Sequence, residues 1–92
     1  MTNIEFYNHI ITYFDSIGIY PHHRHYDIMV DKPQSEEDIA NVLVVDSNTK
    51  RNVANISCIP TTFGSNPENL VDKILQHIYD YEQYYKQRKE FI

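Results

Sequence analysis

The residues best suited to chemistry lie together, in the segment HHRHYD at residues 22–27. This segment contains three of the chain's 5 histidines and one carboxylate. Alternate side chains of a strand point to the same side, so a strand that begins near residue 22 would place His23, His25 and Asp27 on one face. Two imidazoles and a carboxylate are ligands that zinc and related divalent ions take in proteins. These three residues are therefore candidate metal ligands. The alternative is that they form an exposed polar face of a strand, and this is the interpretation that we expect.

Part of this segment, HRHYD, resembles the H-x-H-x-D-H motif of the metallo-β-lactamase family, with His23, His25 and Asp27 at the matching positions. The resemblance implies a metal-dependent hydrolase. The chain departs from the motif at Ile28, where that family has a further histidine, and it has no comparable second group of ligands downstream. Because short motifs often match by chance, the sequence predicts neither a metal nor another cofactor. A small metal-binding protein or hydrolase remains the alternative function.

The remaining residues that could perform catalysis lack the partners that catalysis needs. Cys58 could act as a nucleophile beside a histidine, but it shares one side of a predicted strand with Ala54 and Ile56, which predicts a buried, inert thiol. The only glycines are Gly18 and Gly64, so there is no glycine-rich phosphate loop. The paired carboxylates of SEED lie in a predicted loop without apolar neighbours to raise their pKa. The sequence therefore predicts a protein that is not an enzyme.

Two helices are predicted from capping residues and hydrophobic periodicity. The first spans residues 2–17, with Thr2 and Glu5 at capping-box spacing and Gly18 as its stop. The second begins at Pro67, after Asn66 as the N-cap. Each helix carries apolar residues at three- and four-residue steps. These residues are Phe6, Tyr7, Ile10, Phe14 and Ile17 in the first helix, and Leu70, Val71, Ile74, Leu75, Ile78, Tyr81 and Tyr85 in the second.

Three strands are predicted between the helices, at residues 26–31, 39–46 and 53–60. The first alternates apolar with polar residues, the second is β-branched and strongly apolar, and the third alternates again until Pro60 ends it. The segments KPQSEED and SNTKRN connect them, and a short helical turn is expected from Ser35. We therefore predict a single α+β domain over residues 1–92. Its order is α-β-β-β-α, with a three-stranded antiparallel sheet and both helices packed on one face.

This order is similar to that of the double-stranded RNA-binding domain, which is also α-β-β-β-α. The resemblance implies contacts to phosphates through a lysine-rich start of the last helix. In this chain the corresponding segment, SNPENLVDK, is net acidic. Binding of duplex RNA is therefore not predicted.

Negative charge is concentrated between residues 27 and 46. Six of the 13 acidic residues lie there, but only one of the 8 basic residues. We call these six the acidic segment. An acidic surface repels phosphate backbones and attracts basic partners, although a solvated rim that maintains solubility is the alternative interpretation. The segment consists of Asp27, Asp31, Glu36, Glu37, Asp38 and Asp46.

Tyrosine is the unusual residue of the composition, with 8 copies and no tryptophan. A small core cannot bury all of them, so several phenols should reach the surface. In the second predicted helix, the apolar residues at three- and four-residue steps form a stripe along one face. Tyr79 and Tyr84 lie away from the centre of this apolar stripe. Exposed tyrosines are favoured at protein interfaces, and tyrosines that bridge core and solvent are the alternative. Tyr79 and Tyr84 are therefore predicted to join the acidic segment in a partner-binding surface.

These features predict a small acidic binding or inhibitory protein that engages a basic surface of a partner protein, such as a nucleic-acid-binding protein. The composition is similar to that of phage and mobile-element accessory proteins, some of which, including anti-CRISPR proteins, present acidic surface to a nucleic-acid groove. Direct binding of single-stranded nucleic acid through Tyr84, Lys86, Arg88 and Lys89 is a further alternative. With one cysteine and neither a signal peptide nor an apolar span, a cytoplasmic protein without membrane contact is expected.

Overall fold

In the described part of the chain, two helices flank four consecutive strands. The computed structural model describes the backbone of residues 1–90 and the side chains of residues 1–85. The strands form one antiparallel sheet in the order β1-β2-β3-β4. The predicted α+β class is confirmed, whereas the predicted three-stranded sheet is wrong because the sheet has four strands. The elements are α1 (Asn3–Ser16), β1 (His22–His23), β2 (Tyr26–Asp31), β3 (Ala40–Asp46), β4 (Asn52–Cys58) and α2 (Pro67–Glu90).

The additional strand, β1, pairs with β2 in a tight hairpin. His22 lies opposite Asp27 and His23 lies opposite Tyr26, so only two residues connect the strands. Arg24, the first of these two, has a φ of +56°, a left-handed conformation typical of short hairpin connections. A strand of two polar residues has no alternation from which it could be predicted. The order is therefore α-β-β-β-β-α, which differs from that of the double-stranded RNA-binding domain.

The helix starts agree with the sequence predictions. The Glu5 amide donates to Thr2 Oγ1 and the Thr2 amide donates to Glu5 Oε1, both at 3.1 Å, which confirms the capping box of α1. In α2, the Glu68 amide donates to Asn66 Oδ1 at 3.0 Å, and Pro67 is the first helical residue. Each cap satisfies amides that have no partner within the helix.

One core joins both helices to one face of the sheet. Two predictions of buried helix residues are wrong. Ile17 is 43% exposed because it lies at the C-cap, beyond the last turn of α1. Leu75 is 42% exposed, so the buried stripe of α2 runs through Leu70, Val71, Ile74 and Ile78 without it. The buried core consists of Phe6, Ile10, Phe14, Ile19, Tyr26, Ile28, Ala40, Val42, Val44, Ala54, Ile56, Cys58, Phe63, Leu70, Val71, Ile74 and Ile78.

The opposite face of the sheet is open to solvent, and we call it the open sheet face. Its centre is apolar, because Met29 of β2 is paired with Leu43 of β3 and is 43% exposed. Asp27 and Asp31 lie two positions to either side of Met29 and therefore project to the same face. The outward residues of the three longer strands are Asp27, Met29, Asp31, Asn41, Leu43, Val45, Asn52, Asn55 and Ser57.

Candidate functional site

The predicted metal ligands do not share a face of the sheet. Directly paired residues of antiparallel strands lie on the same side, so His22 joins Asp27 on the open sheet face while His23 points to the opposite face. His22 Nδ1 lies 2.8 Å from Asp27 Oδ1. The expected face of His23, His25 and Asp27 is therefore wrong, because the chain turns between the two histidines. In the part of the chain that the structure describes, no group of three or more histidines, cysteines or carboxylates could hold a metal ion.

The other two histidines of the segment contact different groups. His23 is half-buried, and burial followed by the charge of Arg24 lowers the pKa of its imidazole below 6.5. His25 lies in the hairpin turn, with its ring centroid 4.2 Å from that of Tyr26. His23 therefore shares the core side of the sheet with its pairing partner Tyr26, and His25 packs against the Tyr26 ring, whereas Asp27 lies on the open sheet face.

Two tyrosine–carboxylate pairs form where the β1–β2 hairpin, the β3–β4 turn and α2 meet. The hydroxyl of Tyr26 donates to Glu82 Oε1 at 2.9 Å. The hydroxyl of Tyr81 donates to Asp46 Oδ2 at 2.7 Å. The two rings are edge to face, with centroids 6.2 Å apart. Each pair joins a strand to the helix, so the pairs fix the C-terminal half of α2 against the sheet.

Asp46 belongs to these pairs and not to the exposed acidic surface. It lies opposite Tyr26 in the β2–β3 register, faces the core side and is only 6% exposed. Its Oδ1 also accepts the Asn48 amide at 2.9 Å in the β3–β4 turn. Burial alone would raise the pKa of this carboxyl, but the hydrogen bonds from Tyr81 and from the turn hold it below 3.8. The prediction that Asp46 lies at the surface with the rest of the acidic segment is wrong, because strand alternation turns its side chain inward.

The two phenols act as fixed hydrogen-bond donors. Burial raises the pKa of Tyr26 far above its ordinary value, and the hydrogen bond to Glu82 and its charge raise it further. Burial also raises the pKa of Tyr81, as does its bond to Asp46. Both hydroxyls therefore remain protonated at neutral pH, and each proton is committed to a carboxylate.

A cleft of about 460 Å³ opens beside these pairs, and we call it the tyrosine cleft. On one side the guanidinium carbon of Arg51 lies 4.6 Å from the ring centroid of Tyr85, which in turn lies 4.6 Å from that of Tyr81. On the other side Arg24 Nη1 is 3.9 Å from Glu82 Oε1. The lining residues are Arg24, His25, Tyr26, Asp46, Thr49, Arg51, Tyr81, Glu82 and Tyr85.

The tyrosine cleft is not predicted from the sequence. The sequence pattern indicates a surface position for Asp46 and places Tyr81 and Tyr85 in the apolar stripe of α2. The strongest available signal is the series of tyrosines and acids in YDYEQYY at residues 79–85. That series does not indicate which strand residues face it.

The rest of the acidic segment lies at the surface. Asp31 is exposed and Asp27 half-buried on the open sheet face, and residues 36–38 form an exposed loop between β2 and β3. Asp38 has a structural contact, because its Oδ2 accepts the Gln34 amide at 3.1 Å. The expected helical turn at Ser35 is a single hydrogen-bonded turn outside any helix, closed by the Asp38 amide and the Ser35 carbonyl at 3.2 Å.

Tyr79 and Tyr84 are both more than half exposed, as expected for residues away from the stripe centre. The Tyr84 ring packs edge to face against Tyr85, with centroids 5.0 Å apart. Both tyrosines lie on α2, whereas the acidic residues other than Asp46 lie on the open sheet face and its adjoining loop. Lys86, Arg88 and Lys89, which complete the alternative nucleic-acid surface, lie outside the described side chains.

Cys58 is expected to resist thiol reagents in the folded protein. It is fully buried on the core side of β4, and burial raises the pKa of its thiol to about 12. Since the thiolate is the reactive form, modification by iodoacetamide at pH 8 should require unfolding. Mass spectrometry should show no adduct in buffer and complete modification in 6 M guanidinium. Rapid modification without denaturant would contradict this burial.

Comparison with known protein families, curated proteins and solved structures finds no match to this chain. Among the residues that the structure describes, no helix is both long and apolar enough to cross a membrane.

Proposed function

We propose that this is a small non-catalytic binding or inhibitory protein whose open sheet face and adjoining acidic loop dock on a basic surface of a partner protein. One observation carries the proposal: the exposed Met29 and the half-buried Leu43 form an apolar pair on a sheet face that Asp27 and Asp31 make acidic. An apolar centre with a charged rim is the usual anatomy of a protein interface.

Charge complementarity favours a basic partner. Asp31 is exposed on the open sheet face, the loop acids Glu36 and Glu37 are exposed between β2 and β3, and the whole chain has a net charge of −5. Such a surface accelerates association with a basic protein and makes the association sensitive to salt. A nucleic-acid-binding protein offers a surface of this kind. The similarity in composition to phage accessory proteins that block such surfaces supports the same class of partner.

The test compares two doubly substituted proteins in affinity capture from the native host. Asp31→Lys with Glu37→Lys reverses two charges at the open sheet face and its loop. Asp15→Lys with Asp72→Lys reverses two exposed charges on the helices, so the net charge of the chain changes equally. Asp38 is left unchanged because it accepts the Gln34 amide. We expect the sheet variant to lose capture of a basic protein by about tenfold or more, since close charge pairs contribute strongly to binding. The helix variant should retain it.

Three outcomes would contradict the proposal. Equal loss in both variants would indicate attraction by net charge alone, and unchanged capture in both would remove any role for the open sheet face. Recovery of nucleic acid in place of a protein would favour the alternative surface with Tyr84, Lys86, Arg88 and Lys89.

The metal-binding alternative has a separate test. Metal analysis of the protein purified without a histidine tag is expected to show no stoichiometric zinc, since His23 and Asp27 face opposite sides of the sheet. Zinc at one equivalent, lost in a His23→Ala and His25→Ala variant, would overturn the proposal of a metal-free protein.

A further inference from the structure

The tyrosine cleft is separate from the open sheet face, because it lies on the helical side of the sheet. The geometry points to a binding site for a small planar organic anion, an aromatic ring that bears a carboxylate or a phosphate. A nucleoside monophosphate is the phosphorylated form of this chemistry and an aromatic carboxylate is the simpler form. The anionic group would pair with Arg51, and the ring would lie against the tyrosines.

The carboxylates of the cleft already have partners of their own. Asp46 accepts hydrogen bonds from the Tyr81 hydroxyl and the Asn48 amide. Glu82 accepts a hydrogen bond from the Tyr26 hydroxyl, and its Oε1 lies 3.9 Å from Arg24 Nη1. The cation of the cleft without a carboxylate partner among the described side chains is therefore Arg51, which favours an anionic ligand.

Arg51 is the cation best placed to bind that anion. Among the described side chains it is paired with no carboxylate, since the ion pairs found there are His22–Asp27 and Arg24–Glu82. Its guanidinium is held over the Tyr85 ring at 4.6 Å. A stacked guanidinium keeps its edge donors free, and this planar fork matches the two oxygens of a carboxylate or phosphate. Arg51 is thus oriented in advance, which reduces the entropy lost on binding.

The aromatic lining supports a planar ligand body. Tyr81 and Tyr85 lie side by side, with ring centroids 4.6 Å apart, and His25 lies against Tyr26 on the other side of the cleft. Aromatic faces favour stacking of planar rings, as they do for bases of single-stranded nucleic acid. The volume of about 460 Å³ falls within the range of about 300–1,000 Å³ that is common for small-molecule sites.

The experiment titrates the full chain with four probes: adenosine 5′-monophosphate, adenosine, inorganic phosphate and benzoate. Binding is followed by calorimetry and by changes in amide and arginine side-chain NMR signals. We expect adenosine monophosphate or benzoate to bind, with shifts at Arg51, Tyr81 and Tyr85, and adenosine and phosphate to bind at least about tenfold more weakly. The stronger of the two productive probes identifies which form of the anion the cleft takes.

Matched variants locate the site. Arg51→Gln removes the charge at the cleft and should weaken binding by about tenfold or more, the effect expected for a lost charge-assisted pair. Lys73→Gln makes the same change at an exposed position of α2 and should leave binding unchanged. Circular dichroism would establish that both variants fold. Absence of binding for all four probes at millimolar concentration, equal affinity in Arg51→Gln and the native chain, or shifts confined to other surfaces would each overturn the proposal.

Discussion

Replacing Phe6 by alanine is expected to lower the free energy of unfolding by about 3–5 kcal/mol, the usual cost of removing a buried phenylalanine. Phe6 is 0% exposed, and its ring stacks near that of Phe63 with centroids 6.5 Å apart. Alanine would leave a cavity between α1 and the segment before α2 that neighbouring side chains can fill only in part. The loss is a large share of the total stability of a small domain, which is typically about 5–15 kcal/mol.

Urea unfolding followed by far-ultraviolet circular dichroism would measure the effect. The matched control is Ile17→Ala, since Ile17 lies on the same predicted stripe but is exposed at the end of α1. We expect the control to lose less than about 1 kcal/mol, because little additional apolar surface leaves the core. Similar losses in the two variants would mean that α1 packs through a different face.

Replacing Asp46 by alanine is expected to lower the free energy of unfolding by about 2–3 kcal/mol, because hydrogen bonds to a charged acceptor are among the stronger ones. The substitution leaves the Tyr81 hydroxyl and the Asn48 amide without their carboxylate acceptor. It therefore weakens both the β3–β4 turn and the attachment of α2. Asp31→Ala, the same change at an exposed position of the open sheet face, should shift stability by less than about 0.5 kcal/mol. Equal effects would contradict the inward placement of Asp46.

The contribution of Asp46 should also depend on pH. Its pKa in the folded protein is held below 3.8, whereas in the unfolded chain it returns to its ordinary value. Stability from its ionised form is thus fully present above the unfolded pKa and is lost as pH falls through the folded pKa. The difference in urea midpoint between the native chain and Asp46→Asn should therefore be largest at pH 7 and smaller at pH 3. A difference that does not change between these pH values would contradict the role of the carboxylate charge.

Local interactions made several features predictable from the sequence. The capping box of Thr2 and Glu5 and the start of α2 at Pro67 depend on hydrogen bonds between residues two or three positions apart. The alternation of β2 and β4 likewise depends on neighbouring residues, and so does the exposure of Tyr79. Such features need no knowledge of distant contacts, because helix caps and strand periodicity arise within a few residues.

The edge strand β1 and the tyrosine cleft are determined by tertiary contacts and could not be predicted from the sequence. A turn at Arg24 folds β1 back on β2 and separates the histidines that one continuous strand would have aligned. The cleft depends on hydrogen bonds that join Tyr26 to Glu82 and Asp46 to Tyr81, across 56 and 35 positions of the chain. Those contacts follow from strand register and from where α2 crosses the sheet. The sequence alone could identify Asp46 as an acid at the end of a strand, but its partners across the fold determine that it is a buried acceptor.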